Sequence, residues 1–399
     1  MCFLKKLQYA LKPGIFVLTI LLGCVLFFEF NFSFLDPIHI ASEKVSFRDI
    51  YFSKIQGGEL KSDDRIVLVD IGDTLKRPNI VKLLYKIKEI DYKVLGIDIR
   101  FDVRRPNDSK TDSLLEEFAL KSPNVVFGTN EHLGGSFFMN DRQEIKKGLT
   151  NLGKEDKDFP VRSLLNNSKS QPGTHSFAYE IVKIIAPNNK SIEHFTDKKE
   201  IDINFERQNR PLIINAEELL SDSTGTYLNY LEDKIVIVGS LGDNGKDMHL
   251  VPNASYNLSK DENTFYTEVS GPFIHAIAIS NLLDEKIIKS SSLFNWLFFA
   301  VIFFVTLVLT LNWEHGYSPY MRLIARIYIL VGSLLIFLLY ILLMDNFLFE
   351  FPVGGALMTL ILTLELAEIY EPIELISKGL KRFVTNLFSK ALPENHETL

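Results

Sequence analysis

The pattern of hydrophobic and polar positions divides the chain into four long apolar runs and a middle region of short elements. A membrane-crossing helix needs about 20 mostly apolar residues. We therefore predict transmembrane helices at 15–34, 293–313, 323–344 and 351–370. The segments around them are a cytoplasmic N-terminus at 1–14, an extracytoplasmic domain at 35–292, and a cytoplasmic amphipathic helix and tail at 371–399.

The distribution of positive charge sets the predicted orientation, because Lys and Arg concentrate on the cytoplasmic side of a membrane. Lys5, Lys6 and Lys12 precede the first run, whereas the turn at 345–350 has two acids and no base. We predict a multi-pass protein with both termini in the cytoplasm. The letters LLGC, ending at Cys24, also match a lipoprotein cleavage box, but the apolar run continues beyond them and favours an uncleaved anchor.

Between residues 65 and 285 short apolar runs alternate with segments of helical periodicity. Strands are predicted at 65–71, 93–101, 124–130, 201–206 and 234–239, and helices at 79–90, 112–122, 176–185 and 272–283. We expect Thr111 or Asp112 to cap the second helix. Strands that alternate with helices of this length indicate βαβ units, hence an α/β domain with a largely parallel sheet flanked by helices. The polar segments 131–175 and 243–270 are predicted to be loops.

Composition narrows the classes of function. The net charge of −7 argues against a nucleic-acid-binding protein, which usually carries a basic face. The two cysteines, Cys2 and Cys24, lie in or before the first apolar run, so no disulfide or cysteine metal site is expected in the domain. No catalytic or metal-binding motif occurs. We therefore predict no enzyme activity, no cofactor and no metal.

The segment KIVIVGSLGDNGKDMHLVP (234–252) has the composition of a phosphate-binding loop. Five residues separate Gly239 from the Gly-Lys pair, where a P-loop has four, and Asp247 stands where Ser or Thr would bind magnesium. The glycines Gly239, Gly242 and Gly245 also lack the spacing of a dinucleotide fingerprint. The sequence therefore favours a strand followed by a turn over a nucleotide site.

Several segments in a fixed order carry a family resemblance. They are RIVLVDIGDTL, KVLGIDIRF, NVVFGTN, INFERQNRPLIINAEELL, LEDKIVIVGS, KDMHLVP and VSGPFIHAIAISNLL. Together they resemble the CHASE2 domain, an extracytoplasmic sensory module of bacterial membrane signalling proteins. The resemblance covers about 40–285 and includes one helix before the domain and three after it. It implies location in the bacterial cytoplasmic membrane, a periplasmic or extracellular domain, and a homodimer. The family's tryptophan-rich segment after the first strand is missing here.

Polar residues follow three predicted strands, and they form the candidate ligand site. In a parallel α/β sheet the carboxyl ends of the strands share one edge, where ligands bind. The candidate residues are Asp70, Asp73, Asp98, Arg100, Gly239, Asp247 and His249. The alternative interpretation is a set of structural carboxylates that cap helices and hold loops. His275, within PFIHAIAI, is interpreted as a structural histidine.

Two regions are candidates for partner contact. Glu365 is a carboxylate inside the fourth predicted span, and such groups are commonly functional. The 29 residues after Tyr370 are too few for a kinase or cyclase, and they contain a basic amphipathic helix typical of membrane-surface lying or partner docking. Its candidate contact residues are Leu380, Lys381, Arg382 and Phe383.

The predicted function is a membrane-anchored sensory or receptor subunit. It detects an extracytoplasmic signal and relays it through its helices to a separate cytoplasmic effector, such as a kinase, cyclase, protease or defence-type protein, or to another membrane subunit. The alternative is a non-sensing scaffold or envelope-complex assembly subunit that binds protein partners. The predicted contacts are these proteins and the lipid bilayer, with no nucleic acid.

Overall fold

The computed structural model describes the chain in two compact units, Met1–His39 with Lys289–Leu399, and Ile40–Ile288. Within the chain, the described residues are 15–16, 18–20, 46–56, 62–72, 75–101, 104, 108–130, 142, 144–153, 159–167, 173–205, 210–242, 247–252, 266–311 and 319–391. Of the first predicted span, the described residues are thus only 15–16 and 18–20, and these are helical.

The second unit is an α/β domain. Its strands are β1 (Ser62–Asp70), β2 (Val94–Asp98), β3 (Val125–Thr129), β4 (Lys146–Leu149), β5 (Ser163–Leu165), β6 (Glu200–Asp202), β7 (Arg210–Asn215), β8 (Ile235–Gly239), β9 (Met248–Pro252) and β10 (Tyr266–Ser270). Its helices are α1 (Phe47–Ile50, continued by a π-helical turn Tyr51–Ile55), α2 (Arg77–Ile87), α3 (Ser109–Leu120), α4 (Phe177–Ile185), α5 (Lys190–Phe195), α6 (Ala216–Ser221), α7 (Thr226–Asn229) and α8 (Gly271–Leu283).

Six of the strands form one parallel sheet in the order β4-β3-β2-β8-β1-β7. The central strand β8 is buried along its whole length, because helices cover both faces of the sheet. On one face α2 and α3 bury Ile80, Leu84, Leu115 and Phe118 in the main core. On the other face lie α4 and α8. The predicted α/β domain with a largely parallel sheet is confirmed.

Two close approaches fix α4 against the sheet. A methyl group on Gly96 of β2 would lie 2.6 Å from Cζ of Phe177, and one on Gly148 of β4 would lie 2.5 Å from Cα of Phe177. Only glycine allows this separation at either position. The helix α8 is buried on nearly all sides, which explains why its sequence is apolar all round.

The structure differs from the sequence prediction at the start of α3 and in the predicted loops. The helix begins at Ser109, after Asp108, so the prediction that Thr111 or Asp112 caps it is wrong. Asp112 is instead buried and accepts a 2.7 Å hydrogen bond from Arg77. The segments predicted as loops contain β4 and β5, and the antiparallel pair β9–β10.

The first unit contains α9 (Ser292–Leu311), α10 (Pro319–Phe347) and α11 (Val353–Ala391). Small residues allow close packing between them, as is usual for helices in membranes. A methyl group on Gly355 of α11 would lie 3.1 Å from Cζ of Phe299, and one on Gly332 of α10 would lie 3.0 Å from Cδ2 of Leu360. The structure has one continuous helix, α11, where the sequence analysis divides the segment at residue 370.

Within the described residues, one helix is long and apolar enough to cross a membrane, Arg326–Phe347, with a mean hydropathy of 2.8. The apolar parts of its neighbours, Ser292–Leu307 and Val353–Leu366, are shorter. The structure thus supports one clear span, and the four-helix arrangement stays a prediction.

Candidate functional site

The carboxyl ends of three neighbouring strands place Asp70, Gly239 and Asp98 in one row. Gly239 at the end of β8 is paired in register with Asp70 of β1 on one side and with Asp98 of β2 on the other. The structure therefore brings these three residues together at one edge of the sheet. Asp73 lies outside the described residues, and Arg100 is exposed beyond the end of β2.

Gly239 brings α8 down onto this edge. A methyl group on Gly239 would lie 2.6 Å from Cγ of Pro272 and 3.4 Å from Cβ of Asp98. Because a proline ring cannot move aside as a flexible side chain does, only glycine fits beneath the first turn of the helix. The first turn of α8 consequently lies beside the Asp98 carboxyl.

Asp98 is a largely buried acid. Its side chain is 12% exposed, and its Oδ2 lies 3.9 Å from Nε2 of His275, which is too far for a hydrogen bond. Burial, reinforced by repulsion from Asp247, raises the pKa of Asp98 to about 8, although Arg100 acts in the opposite direction. The carboxyl is therefore mostly protonated at neutral pH.

His275 forms the inner wall of the site. Its side chain is 1% exposed, and its ring makes an edge contact with Phe177 at a centroid distance of 5.3 Å. Burial lowers the pKa of His275 to about 4, against the opposing effects of Asp247 and the Thr150 main chain, and His249 lowers it further. A neutral imidazole thus faces a protonated carboxyl, which avoids burying an unpaired charge.

Asp247 lies at the entrance to α8 in the left-handed region of backbone conformation, with φ 58°. Its carbonyl accepts a 3.1 Å hydrogen bond from the Gly271 N–H, and a methyl group on Gly271 would lie 2.6 Å from its Oδ2. A negative charge is favourable there because the N-terminus of a helix carries partial positive charge. His249 Nε2 lies 3.1 Å from Asp247 Oδ1.

Asp70 has a different environment, although it ends the neighbouring strand. Its Oδ1 accepts hydrogen bonds from the main-chain N–H groups of Gly72, at 2.9 Å, and of Leu241, at 3.0 Å. The carboxylate thereby joins the turns that follow β1 and β8. This is the structural task that the alternative interpretation assigned to the acids at this edge.

Sequence reasoning missed the polar residues that end β3 and β4. The N–H of Thr150 donates a 2.8 Å hydrogen bond to the Thr129 carbonyl, and Asn151 Nδ2 lies 3.1 Å from Asn130 Oδ1. A methyl group on Gly128 would lie 3.5 Å from Cα of Asp98, so these ends adjoin the same edge. The four letters of β4, KKGL, are too short and too polar to be recognised as a strand.

A second buried carboxylate, Asp49, lies in α1, before the first strand of the domain. Arg162 donates to both of its oxygens, at 3.0 and 2.6 Å, and the Tyr266 hydroxyl donates at 2.9 Å. Asp49 also caps α1 by exchanging hydrogen bonds with Ser46. We call these residues, Asp49, Arg162 and Tyr266, the Asp49 cluster.

Among the described residues, no group of three or more His, Cys, Asp or Glu side chains could hold a metal ion. Asp98, Asp247, His249 and His275 lie near one another at this edge of the sheet. We call this set the Asp98 site.

The family model for the CHASE2 domain matches residues 17–311. The chain belongs to the CHASE2 domain family. CHASE2 domains are extracytoplasmic sensory domains of membrane proteins, and their role is sensing and not catalysis. No curated protein and no solved structure matches the chain. The family resemblance drawn from the sequence is thereby confirmed, and the acids of the Asp98 site lie within the matched CHASE2 region.

The candidate partner residues lie outside the match, on α11. Glu365, Lys381 and Arg382 are exposed, and Leu380 is 64% exposed. The side chain of Phe383 lies outside the described residues. Ile376, one helical turn before Leu380, is 69% exposed, so the apolar stripe of this helix is uncovered in the described chain.

Proposed function

We propose that this chain is a bacterial membrane sensor subunit that detects an extracytoplasmic signal and relays it to a separate cytoplasmic effector. The main observation that supports this proposal is that the Asp98 site lies against the first turn of α8. The last residue of that helix, Leu283, precedes the apolar helix α9 by a short connection that ends before Ser292. In the proposed mechanism a change that moves α8 reaches α9 through residues 284–291.

A sensor of this kind needs two arrangements of its helices to which the signal binds with different affinity. The Asp98 site supports this proposal because its carboxyl has two charge states, and the uncharged one is favoured in this structure. Its ionisation would place a charge beside Pro272 and His275 on α8. The remaining candidates, Asp73, Arg100 and His249, belong to the proposed ligand site on sequence grounds.

The proposed topology has four spans, with both termini in the cytoplasm and the CHASE2 domain outside. A cysteine-labelling experiment tests it in a chain that carries Cys2→Ser and Cys24→Ser. Glu89→Cys reports on the domain and Lys381→Cys on the tail, since both positions are exposed. We expect a membrane-impermeant maleimide to label position 89 in intact spheroplasts and position 381 only after permeabilisation. Labelling of both positions in intact spheroplasts would refute this topology.

The effector would dock on the exposed stripe of α11. We expect Leu380→Asp to abolish co-purification of the cytoplasmic effector with the full chain, without changing the melting temperature of the CHASE2 domain. Glu350→Gln, located before α11, serves as the matched control and should keep the effector. Retention of the effector by Leu380→Asp would remove this surface from the proposal.

One observation favours the second candidate function, a non-sensing scaffold. The edge strand β7 exposes two consecutive apolar residues, Leu212 at 45% and Ile213 at 50%. Unpaired edge strands readily pair with another chain. If a protein partner is lost in Leu212→Lys but kept in Leu380→Asp, the domain and not the tail holds it, and the scaffold function is the better description.

A further inference from the structure

Several largely buried carboxylates of the CHASE2 domain are paired with a guanidinium group. Four of them have side chains that are 0–15% exposed and contact an arginine at 2.6–2.8 Å. These pairs are Asp49–Arg162, Asp63–Arg65, Asp112–Arg77 and Glu116–Arg104. The chain therefore offsets the cost of burying a carboxylate with a planar cation in each of these cases.

Asp98 differs from these four carboxylates. It is 12% exposed, comparable to the other four, but neither an arginine nor a lysine forms an ion pair with it. Arg100 lies only two residues further along, yet it is exposed and makes no ion pair with Asp98 in the described structure. The His275 side chain lies 3.9 Å from the carboxyl and is neutral at physiological pH.

A second observation concerns the imidazole that borders this carboxyl. The Nδ1 atom of His275 is buried and makes no hydrogen bond of normal geometry in the described chain, although the Thr150 main chain acts on the ring. The ring nitrogen that lies 3.9 Å from the Asp98 carboxyl is Nε2, and the whole side chain is 1% exposed. Buried polar atoms in folded proteins are almost always paired, with protein, water or a ligand. The unpaired atom and the unpaired carboxyl belong to neighbouring groups.

The site is open to solvent on the side of Asp247 and His249, whose side chains are 53% and 24% exposed. The exposed fraction of the side chain falls from Asp247 and His249 to Asp98 and then to His275. Two carboxyls flank the first turn of α8, one beside Gly271 and one beside Gly239. A ligand that enters here meets the Asp247 carboxylate first and the His275 imidazole last.

We propose that the Asp98 site binds a small organic cation of the guanidinium or primary-amine class, which pairs with Asp98 as arginine pairs with the other buried acids. On binding, the O–H bond of the Asp98 carboxyl breaks, the proton passes to solvent, and the carboxylate forms a charge-assisted hydrogen bond with the cation. This ligand class deepens the sensor function proposed above and rests on it. Binding is nevertheless measured separately from topology and effector docking.

The charged groups that face the site decide the sign of the pH dependence. Asp247 opposes ionisation of Asp98, and Arg100 favours it. The other titratable side chains at the site are the imidazoles of His249, on β9, and His275, on α8. Since one proton leaves Asp98 for each cation bound, affinity should rise about tenfold per pH unit while Asp98 is protonated. Above the pKa of Asp98, about 8, affinity should become constant.

The test uses the purified full chain in detergent micelles and three probes, N-ethylguanidinium, ethylammonium and the uncharged isostere N-ethylurea. We expect the two cations to bind in calorimetry and N-ethylurea not to bind. The dissociation constant of N-ethylguanidinium, which stays charged throughout, should fall about tenfold from pH 6.5 to 7.5. Calorimetry in two buffers of different ionisation enthalpy should show nearly one proton released at pH 6.5 and almost none at pH 9.5.

Three variants complete the test. Asp98→Asn should abolish binding of N-ethylguanidinium, and the exposed control Glu89→Gln should leave it unchanged. At pH 9.5, where Asp98 is ionised with or without Asp247, Asp247→Asn at its half-exposed position should weaken binding severalfold. This variant keeps the test usable if Asp98→Asn does not fold. The proposal is overturned if N-ethylurea binds as well as the cation, if no proton is released at pH 6.5, or if millimolar cation does not bind. Failure of these measurements with the topology and effector results intact would reject the ligand class but not the sensor function.

Discussion

Asp49 and Asp98 are both buried carboxylates of the same domain, and their surroundings differ completely. Asp49 accepts hydrogen bonds from Arg162, Tyr266 and its own helix cap. Asp98 has a neutral imidazole at 3.9 Å and no arginine. The hydrogen bonds around Asp49 hold its carboxylate in one geometry. The surroundings of Asp98 keep its carboxyl protonated, so that it can still ionise. The comparison separates a structural cluster from a candidate sensing site without any appeal to motif.

The two sites are connected by the β9–β10 hairpin. Tyr266 of the Asp49 cluster pairs in register with Pro252 at one end, and Met248, which follows Asp247, pairs with Ser270 at the other. Five residue pairs separate the sites, about 14 Å along the strands. The hairpin then leads directly into α8, so the Asp49 cluster anchors one end of an element whose other end borders the Asp98 site.

The largest effect should come from breaking the Asp49 cluster. Arg162→Ala leaves a carboxylate at 0% exposure without its guanidinium, and we expect the free energy of unfolding to fall by about 3 kcal/mol. Thermal and denaturant unfolding of the full chain measures this loss. Lys121→Ala removes an exposed ion pair with Glu117 and should leave stability unchanged. Equal effects of the two substitutions would contradict the structural role of the cluster.

The next effect concerns pH. The folded pKa of Asp98 is raised to about 8 from 3.8, so the folded state binds the extra proton and stability falls as pH rises through this range. The folded pKa of His275 is lowered to about 4 from 6.5, so its contribution rises with pH over that interval. Between pH 4 and 6.5 the contributions of Asp98 and His275 to the pH dependence of the free energy of unfolding have opposite signs and cancel. From pH 6.5 to 8 only Asp98 acts, and stability should fall by about 2 kcal/mol.

The variant Asp98→Asn isolates that contribution, because its amide does not ionise. Its free energy of unfolding should rise between pH 4 and 6.5 and stay level from pH 6.5 to 8, whereas the parent chain loses stability there. Denaturant titrations at each half pH unit provide the comparison. Parallel curves for the parent chain and the variant would mean that Asp98 is ionised in the folded protein.

The smallest effect should come from Asp70, the other acid at the same edge of the sheet. Asp70→Ala removes the acceptor for the N–H groups of Gly72 and Leu241, which lie in partly exposed turns, and should cost about 1 kcal/mol. The dependence of stability on pH between 6.5 and 8 should match that of the parent chain. A flattened pH dependence in Asp70→Ala would mean that the two acids are coupled.

The predictable part of the fold followed from periodicity. The apolar runs that became β1, β2, β3 and β8 are buried on both faces, so their sequences carry a strong signal. Their shared edge followed from parallel topology alone. The strands β4, β5, β9 and β10 escaped prediction because each has only three to five residues and lies within a polar segment of the sequence.

The site was predictable in position but not in chemistry. Asp70 and Asp98 both follow a buried strand, and nothing in the letters distinguishes them. Their difference depends on main-chain N–H groups that reach Asp70 and on the helix that covers Asp98. His275, interpreted as structural from its apolar context, borders Asp98 because Gly239 admits α8 to the edge of the sheet. Such contacts are set by tertiary packing.

The uninterrupted length of α11 has a geometric consequence. Its 39 residues extend about 58 Å, nearly twice the thickness of a membrane's hydrocarbon layer. Along one helix every side chain has a fixed angle about the axis, and Leu380 lies about 60° around from Glu365. Inserting one alanine between them would turn everything beyond it by about 100° and lift it by about 1.5 Å. Any response carried by this helix should then vary with insert length in a cycle of about 3.6 residues.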